Sequence, residues 1–248
     1  MPVRYLWLLL AGFGGGLTGS VAGLASLVSY PALLGVGISP VSANVSNTVA
    51  LLFNSVGSVW GSQPELAGQR TLARGLAGAA VAGGALGAAL LLLTPGRIFE
   101  RVVPVLIGVG SLAILVPRRP HVAPSGHRKP RRELIAAVLA VSLYGGYFGA
   151  AGGVIMLAVL LFSTGEPLPR SNAMKNLLLG LANGVAAVGF AVFGPVRWAA
   201  ALPLAVGFLA GGRLGPAIVR RVPATPIRVL ICVAGLGLAV QLGLSTYR

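Results

Sequence analysis

The residues of this chain that could do chemistry are amides, hydroxyls and one lysine, set into long apolar segments. They are Thr18, Ser20, Asn44, Ser46, Asn47, Thr48 and Asn54 in the first half, and Asn172, Lys175, Asn176 and Asn183 in the second. The predicted binding site includes all of them except Ser46, Asn54 and Asn183. Asparagine in hydrocarbon must find hydrogen bonds, either across helices or with a ligand. Asn172 and Asn176 are one helical turn apart with Lys175 beside them, so their donors could converge on an anion. The set favours a pocket for a small anion. The alternatives are that each asparagine serves helix packing and that Lys175 lies at the membrane interface.

Groups for catalysis or metal binding are missing from the apolar segments. The four acids, Glu65, Glu100, Glu133 and Glu166, lie at or near segment ends, and His121 and His127 lie between the two halves. The single cysteine, Cys232, excludes an intramolecular disulfide and a thiolate metal cluster. Because the segments hold neither paired carboxylates nor a nucleophile with its base, the sequence predicts no enzyme, no catalytic residue, no metal site and no cofactor.

Two glycine clusters stand near the middle of the longest apolar segments, 5–34 and 134–162. They read G-G-L-T-G-S-V-A-G-L at 15–24 and G-G-Y-F-G-A-A-G-G-V at 145–154. About 30 residues would form a helix of roughly 45 Å, which is longer than the ~30 Å hydrocarbon core of a lipid bilayer. We therefore expect each segment to break or re-enter at its glycine cluster. The new helix end would present free N–H groups to an anion, although the glycines could instead serve packing alone. These clusters add Gly15, Gly16, Gly19, Gly149, Gly152 and Gly153 to the predicted binding site.

The clusters also belong to a duplication of the whole chain. Asn44-Val45-Ser46-Asn47-Thr48 has a counterpart in Asn172-Ala173-Met174-Lys175-Asn176, and Gly83-Gly84-Ala85-Leu86-Gly87 has one in Gly211-Gly212-Arg213-Leu214-Gly215. Only 9% of the residues are charged and 56% are hydrophobic, against about 25% charged in soluble domains. We therefore predict an all-α polytopic membrane protein. Its parts are a first membrane repeat at 1–116, a basic cytoplasmic linker at 117–133 and a second membrane repeat at 134–248.

The topology depends on how the two broken segments lie. The eight apolar segments are 5–34, 41–60, 72–93, 98–116, 134–162, 173–194, 197–219 and 227–244. If all eight cross, about 11 basic residues lie inside and about 7 outside; if 5–34 and 134–162 are re-entrant hairpins, the split is about 13 to 5. The hairpin alternative fits the positive-inside rule better and leaves three crossings per half, so the repeats would be inverted. The net charge of +15 then reflects membrane loops and does not indicate nucleic-acid binding.

Three stretches resemble one known family. They are G-F-G-G-G at 12–16, L-L-G-V-G-I-S-P-V-S-A-N-V-S-N-T-V-A at 33–50 and R-S-N-A-M-K-N-L-L at 170–178, and together they resemble the TauE/SafE sulfite exporter family. The positions that match its pattern are Gly14, Gly15, Gly16, Asn44, Asn47, Thr48, Gly152, Gly153, Asn172 and Lys175. The chain departs from the pattern at 60–63, where Trp-Gly-Ser-Gln replaces an aromatic–arginine pair, and at Arg213, which is usually uncharged.

The resemblance implies a multi-pass protein of the prokaryotic plasma (inner) membrane that carries a small anion, typically sulfite or an organosulfonate. We expect an exporter that works by alternating access, with its site at the midplane between the repeats. A passive anion channel of the same architecture and a carrier of another small organic anion are the alternatives. A membrane enzyme, a scaffold and a cation carrier fit the residues less well. The expected partners are the anion and the lipid bilayer, with a coupling ion (H⁺ or Na⁺) and a homodimer left open.

Overall fold

The computed structural model describes residues 2–113 and 131–219, together with isolated positions between 233 and 244. Most of the predicted linker 117–133 lies outside the described residues, as do His121, His127 and Cys232. Most of the predicted eighth segment, 227–244, also lies outside them. The chain's described part nevertheless contains both glycine clusters and every residue of the predicted binding site.

The described residues fold almost entirely as α-helices. In chain order these are α1 Pro2–Ala22, α2 Ala25–Gly35, α3 Pro40–Gly61, α4 Gln63–Leu66, α5 Arg70–Leu93, α6 Gly96–Ala113, α7 Arg131–Tyr147, α8 Gly152–Thr164, α9 Leu168–Phe193 and α10 Trp198–Val219. Four of them, α1, α5, α9 and α10, are long and apolar enough to cross a membrane. The expectation of an all-helical polytopic membrane protein therefore agrees with the structure.

Both of the long apolar segments are divided at their glycine clusters. The first segment breaks at Gly23 and Leu24, between α1 and α2, and the second breaks over 148–151, between α7 and α8. Gly23 has φ +78° and Gly149 has φ +74°, values that L-residues with a side chain rarely adopt. Ala151 has φ 57° and is the non-glycine exception among the described residues. The backbone therefore leaves the helix where the sequence removes the side chains that would oppose it.

Helix α2 folds back along α1 as an antiparallel hairpin. A Cβ atom at Gly19 would touch Ala25 and one at Gly14 would touch Val28, so residue numbers rise in opposite directions along the contact. At the open end, the guanidinium of Arg4 donates a hydrogen bond to the carbonyl of Val36. The start of α1 and the end of α2 consequently lie at the same end of the bundle, which we call face A.

Other contacts assign further loops to the two ends of the bundle. Face A also holds Arg197, whose backbone N–H donates to Ser46 Oγ in the second turn of α3 at 2.8 Å. At the opposite end, face B, Gln69 Nε2 donates to the carbonyl of Arg170 at 3.2 Å. Arg170 in turn donates to the carbonyl of Ala67 at 3.3 Å. The loop before α5 and the loop before α9 therefore share face B.

The helices of the two halves are interleaved. Helix α1 packs parallel to α10, where Gly12 lies on Leu204 and Gly16 on Gly211, and α5 packs parallel to α7, where Gly87 lies on Leu143. A methyl group at Gly87 would overlap with the backbone of α7, so the absence of a side chain sets this close approach. Helices α3 and α9 also contact one another. They run in opposite directions, since α3 begins at face A and α9 begins at face B.

Candidate functional site

The two helix breaks meet one another inside the molecule. Gly23, at the break between α1 and α2, lies against Gly153 in the first turn of α8. A methyl group on either glycine would overlap with the backbone of the other. The absence of side chains therefore lets two irregular backbone stretches, about half the chain apart, touch directly. Irregular backbone at membrane depth is tolerated only where it is buried in protein or lines a cavity.

A small cavity of about 40 Å³ lies beside this contact. From the first half it is lined by Gly19, Gly23, Ala25, Ser26, Leu51 and Asn54. From the second half it is lined by Gly145, Gly149, Gly152, Gly153, Lys175, Asn176, Leu179 and Asn183. A water needs roughly 10–15 Å³ of such space, so the cavity suits an ion of a few heavy atoms.

Two helix N-termini reach this cavity. Ala25 and Ser26 form the first turn of α2, and Gly152 and Gly153 form the first turn of α8. The N–H groups of a helix's first turn have no partner within the helix, and the helix dipole makes this end partially positive. Because both half-helices begin at a break, each turns the partially positive end of its dipole toward the cavity.

Lys175 places its side-chain amino group in the cavity wall. Its side chain is 0% exposed, and Nζ donates to the carbonyl of Gly19 at 3.0 Å and to that of Ser20 at 3.4 Å. These carbonyls belong to the last turn of α1, where an ammonium group is favoured by the helix dipole. Lys175 is therefore a buried lysine and not an interfacial one. All the residues that line the cavity belong to the described part of the chain, and none of them is acidic.

Three asparagine amides complete the polar wall: Asn54, Asn176 and Asn183. Each is more than nine-tenths buried. Within the described part of the chain, Asn176 Nδ2 has no hydrogen-bond partner. An unpaired buried amide costs about 1–3 kcal/mol, so a polar guest that bonds to it recovers that free energy. Together with Lys175, these groups can hold an oxyanion without any metal. No group of three metal-binding side chains occurs among the described residues.

The structure brings six of the predicted site residues into this cavity: Gly19, Gly149, Gly152, Gly153, Lys175 and Asn176. The other eight do not line it. Among these, Asn44 and Asn172 bond across the two halves. Asn44 Nδ2 donates to the carbonyl of Tyr147 at 2.9 Å, and Asn172 Nδ2 donates to that of Ser20 at 2.8 Å. Each asparagine thus satisfies a carbonyl in the last turn of the broken helix of the other half.

The remaining predicted residues have local partners. Asn47 accepts a hydrogen bond from Ser29 at 2.6 Å and donates to Ser26 Oγ at 3.2 Å, which attaches α3 to α2. The hydroxyls of Thr18, Ser20 and Thr48 each donate to a carbonyl of their own helix. Gly15 and Gly16 pack against α10. These six residues contribute to the packing of the helices that line the cavity and do not line it themselves.

Sequence reasoning missed several lining residues. Asn54 and Asn183 belong to the polar set of the apolar segments, but the predicted site did not include them. Asn47, Leu51 and Asn54 follow an i, i+4, i+7 pattern on α3. This is only a partial signal, because Asn47 shares that face without lining the cavity. On α9, Asn176, Leu179 and Asn183 follow the closely similar i, i+3, i+7 pattern.

Two other features lie away from this cavity. A larger cleft of about 590 Å³ lies between α1 and α2, but its lining, which includes Trp7, Val28 and Pro31, is mainly apolar. Arg213 stacks on Trp60, with its guanidinium 3.7 Å from the ring centre. Both side chains are exposed, and Gly61 packs on Arg213 near the face B end of α3. Arg213 therefore resembles an interfacial anchor and is not part of the cavity.

Comparisons with known proteins agree on the class of this chain. A family model described as "Sulfite exporter TauE/SafE" matches residues 8–242. The chain is 28% identical over 240 residues to the probable membrane transporter protein ORF9 of Sinorhizobium sp., covering 95% of this chain and 91% of the relative. It is 25% identical over 247 residues to the probable membrane transporter protein YfcA of Escherichia coli K12, covering 98% and 89%. A probable membrane transporter protein of Haemophilus influenzae is 25% identical over 232 residues, covering 91% and 89%.

Proposed function

Since the chain belongs to the TauE/SafE sulfite exporter family and is a membrane transporter, we propose that it transports a small sulfur-containing oxyanion such as sulfite. The observation that carries the proposal is the cavity at the contact of the two helix breaks. Its wall combines the ammonium of Lys175 with two helix N-termini and contains no carboxylate among its described residues. Sulfite has no apolar surface to bury, so it requires N–H and cationic donors of this kind.

The size of the cavity supports a sulfite-sized ion over an organosulfonate. A volume of about 40 Å³ suits an ion of a few heavy atoms, since each water needs roughly 10–15 Å³ of such volume. Organosulfonates such as sulfoacetate carry several more heavy atoms and would require the cavity to expand. The family's description as sulfite exporters supports export as the direction of transport.

The depth of the cavity supports a site near the membrane midplane. Leu51 lies 11 residues after the start of α3 at face A, which corresponds to roughly 17 Å along the helix. Lys175 lies seven residues after the start of α9 at face B, or roughly 10 Å along that helix. A site at this depth can be reached from either side of the membrane in turn, as alternating access requires.

We further propose that the halves are inverted repeats with re-entrant hairpins, as the distribution of basic residues favours. The contacts between Gln69 and Arg170 join loops that would lie on opposite sides if all eight segments crossed. Helix α1 begins at face A, whereas α7 runs parallel to α5, which begins at face B. Opposite starting faces for the corresponding helices α1 and α7 support inversion.

Alternating access would require the contacts between halves to rearrange. The hydrogen bonds from Asn44 and Asn172 attach each half to the broken helix of the other, so they are natural points at which one conformation is held. A mid-depth cavity that admits one small ion at a time supports a carrier over the alternative of a passive channel.

The proposal is tested with purified protein and a panel of sulfite, sulfate, thiosulfate, sulfoacetate, taurine and carboxylates. We expect sulfite to raise the thermal unfolding temperature most, and proteoliposomes to show saturable sulfite counterflow. Lys175→Met is expected to abolish both effects, because it removes the charge from the cavity. Arg97→Met is the matched control, because it removes an exposed charge at the start of α6.

Asn176→Leu provides a second variant in case Lys175→Met does not fold. It removes a buried amide nitrogen that has no partner among the described residues, so it should fold normally. We expect sulfite affinity to fall about tenfold, the effect of losing one hydrogen bond of about 1.4 kcal/mol. Unchanged sulfite binding in both variants would contradict the proposed site, and flux without saturation or counterflow would favour the channel.

A further inference from the structure

We propose that the molecule has a second oxyanion-binding site, in a vestibule on face A that is separate from the central cavity. The vestibule has a volume of about 370 Å³ and lies between the start of α1, the loop from α2 to α3 and the start of α10. Arg4 and Arg197 both line it, together with Tyr5 and Ser39. None of its lining residues, all of them in the described part of the chain, is acidic.

The buried hydroxyl of Ser46 holds one of these arginines in place. Ser46 is fully buried in α3, and its Oγ accepts the backbone N–H of Arg197 at 2.8 Å. The carbonyl of Arg197 accepts the N–H groups of Ala200 and Ala201, both at 2.9 Å, where α10 begins. Because the backbone of Arg197 is bonded on both sides, its side chain extends from a fixed position at the vestibule.

The other arginine bonds across the open end of the α1–α2 hairpin. The guanidinium of Arg4 donates to the carbonyl of Val36 at the end of α2. The next residue, Gly37, has φ +81° and turns the chain toward α3. A guanidinium carries five N–H donors in a planar fork, so one bond to a carbonyl leaves further donors for a bidentate oxyanion.

The electrostatics of the vestibule favour an anion between the two arginines. Two like charges that line one cavity repel each other, and an anion between them converts that repulsion into two attractions. The N-termini of α3, which follows Ser39, and of α10, which begins at Trp198, face the same region and add partial positive charge. Glu100, an exposed acid one turn into α6, does not line the vestibule.

The ligand class is an oxyanion with at least two oxygens in fork geometry, which both a free ion and a lipid phosphate can supply. Exposed Tyr5, Trp7 and Trp198 cluster at this end of the bundle, as aromatic side chains do at membrane–water interfaces. The vestibule is therefore at headgroup depth. Free sulfite or phosphate can reach it from water, and the phosphate of an anionic lipid can reach it from the bilayer.

The test compares an Arg4→Gln/Arg197→Gln double variant with Arg97→Gln. Arg97 is also exposed near face A, at the start of α6, but it does not line the vestibule. Titration calorimetry with sulfite and with inorganic phosphate is carried out in neutral detergent, in wild-type and Lys175→Met backgrounds. We expect Lys175→Met to retain one oxyanion-binding event. The double variant should weaken that event at least about tenfold, the effect of losing about 1.4 kcal/mol, and Arg97→Gln should leave it unchanged.

A second arm of the experiment distinguishes the two sources of the oxyanion. Nanodiscs of phosphatidylglycerol and of phosphatidylcholine are compared, and native mass spectrometry measures the lipids that remain bound. Phosphatidylglycerol that is retained by the wild type, lost from the double variant and competitive with free phosphate identifies a lipid phosphate in the vestibule. Free-ion binding that is equal in both nanodiscs identifies the soluble anion, and both results support the site.

The proposal is overturned if the double variant binds free oxyanions and lipid like the wild type, or if Arg97→Gln weakens binding equally. The wild-type background keeps this test independent of whether Lys175→Met folds. A Lys175→Met protein that retains both binding events contradicts the central site and leaves the vestibule standing, so the two proposals fail separately.

Discussion

Asn47 and Lys175 occupy corresponding places in the matching motifs of the two halves, and their side chains reach different partners. Asn47 bonds to Ser26 and Ser29 within its own half. Lys175 reaches across to the carbonyls of Gly19 and Ser20 in the other half, and it lines the central cavity. The neighbouring pair, Asn44 and Asn172, has kept the same amide and the same kind of partner in both halves.

The comparison separates the roles that the two halves share from the one that they do not. Both halves break a helix at glycines, and both use an asparagine to bond the broken helix of the other half. One half alone supplies a cationic side chain to the cavity wall. A buried charge is costly unless it is compensated, and a second cation opposite Lys175 would add repulsion in a confined space. One lysine facing a neutral amide-bearing half therefore suits a single small anion.

The largest effect is expected where the two halves touch, at Gly153. Gly153→Ala should cost at least about 3 kcal/mol of folding stability, because the added methyl group overlaps with the backbone of Gly23. Thermal unfolding in detergent and the yield of monodisperse protein measure this. Gly152→Ala is the matched control, since its methyl group would meet Tyr144 at 3.7 Å, an ordinary contact distance. Equal stability of the two variants would show that the breaks do not touch.

Exchanging the residues at the corresponding positions tests whether the charge belongs to one half. Lys175→Asn should reduce sulfite counterflow by about a hundredfold, equivalent to about 2.7 kcal/mol, because the cavity loses its cationic side chain. Adding Asn47→Lys to that variant should not restore flux, since position 47 does not line the cavity and the substitution also removes the amide that bonds to Ser26 and Ser29. Restored flux in the double variant would mean that the two halves remain interchangeable.

The two asparagines that bond across the halves should differ in how much folding stability is lost when each is replaced. Asn44→Leu leaves the carbonyl of Tyr147 without its amide donor and should cost about 1–3 kcal/mol. Asn172→Leu should cost less, because the carbonyl of Ser20 also accepts from Lys175 at 3.4 Å. Thr94→Val, which removes a hydroxyl that donates to the carbonyl of Leu90 in the preceding helix α5, is the control. A larger decrease in unfolding temperature for Asn172→Leu than for Asn44→Leu would contradict this account.

The sequence alone predicted the two helix breaks, but it did not predict all the residues of the cavity wall. Glycine clusters in segments too long for one helix predicted where α1 and α7 end, because glycine removes the side chain that opposes left-handed backbone. Position 172 was predicted as a ligand but bonds to a carbonyl of the other half instead of lining the cavity. Position 54 lines the cavity without having been predicted. Which face of α3 or α9 turns toward the contact depends on packing between halves, and helical spacing alone does not fix it.

The smallest effect on stability is expected at Arg213, a surface position at which the two halves differ. Arg213 replaces the alanine of the first half's Gly83-Gly84-Ala85-Leu86-Gly87 motif, and it stacks on Trp60 without lining the cavity. An exposed cation–π pair contributes about 0.5–1 kcal/mol, so Arg213→Gln should lower the unfolding temperature only slightly.

Sulfite counterflow should be unchanged in Arg213→Gln, because neither Arg213 nor Trp60 touches the cavity. Trp60→Leu is the matched variant, since it removes the other partner of the same pair. If the pair acts only through stacking, the double variant should be no less stable than the weaker single variant. A loss of flux in Arg213→Gln without a loss of stability would assign this arginine to the transport path, and the second half would then carry two functional cations instead of one.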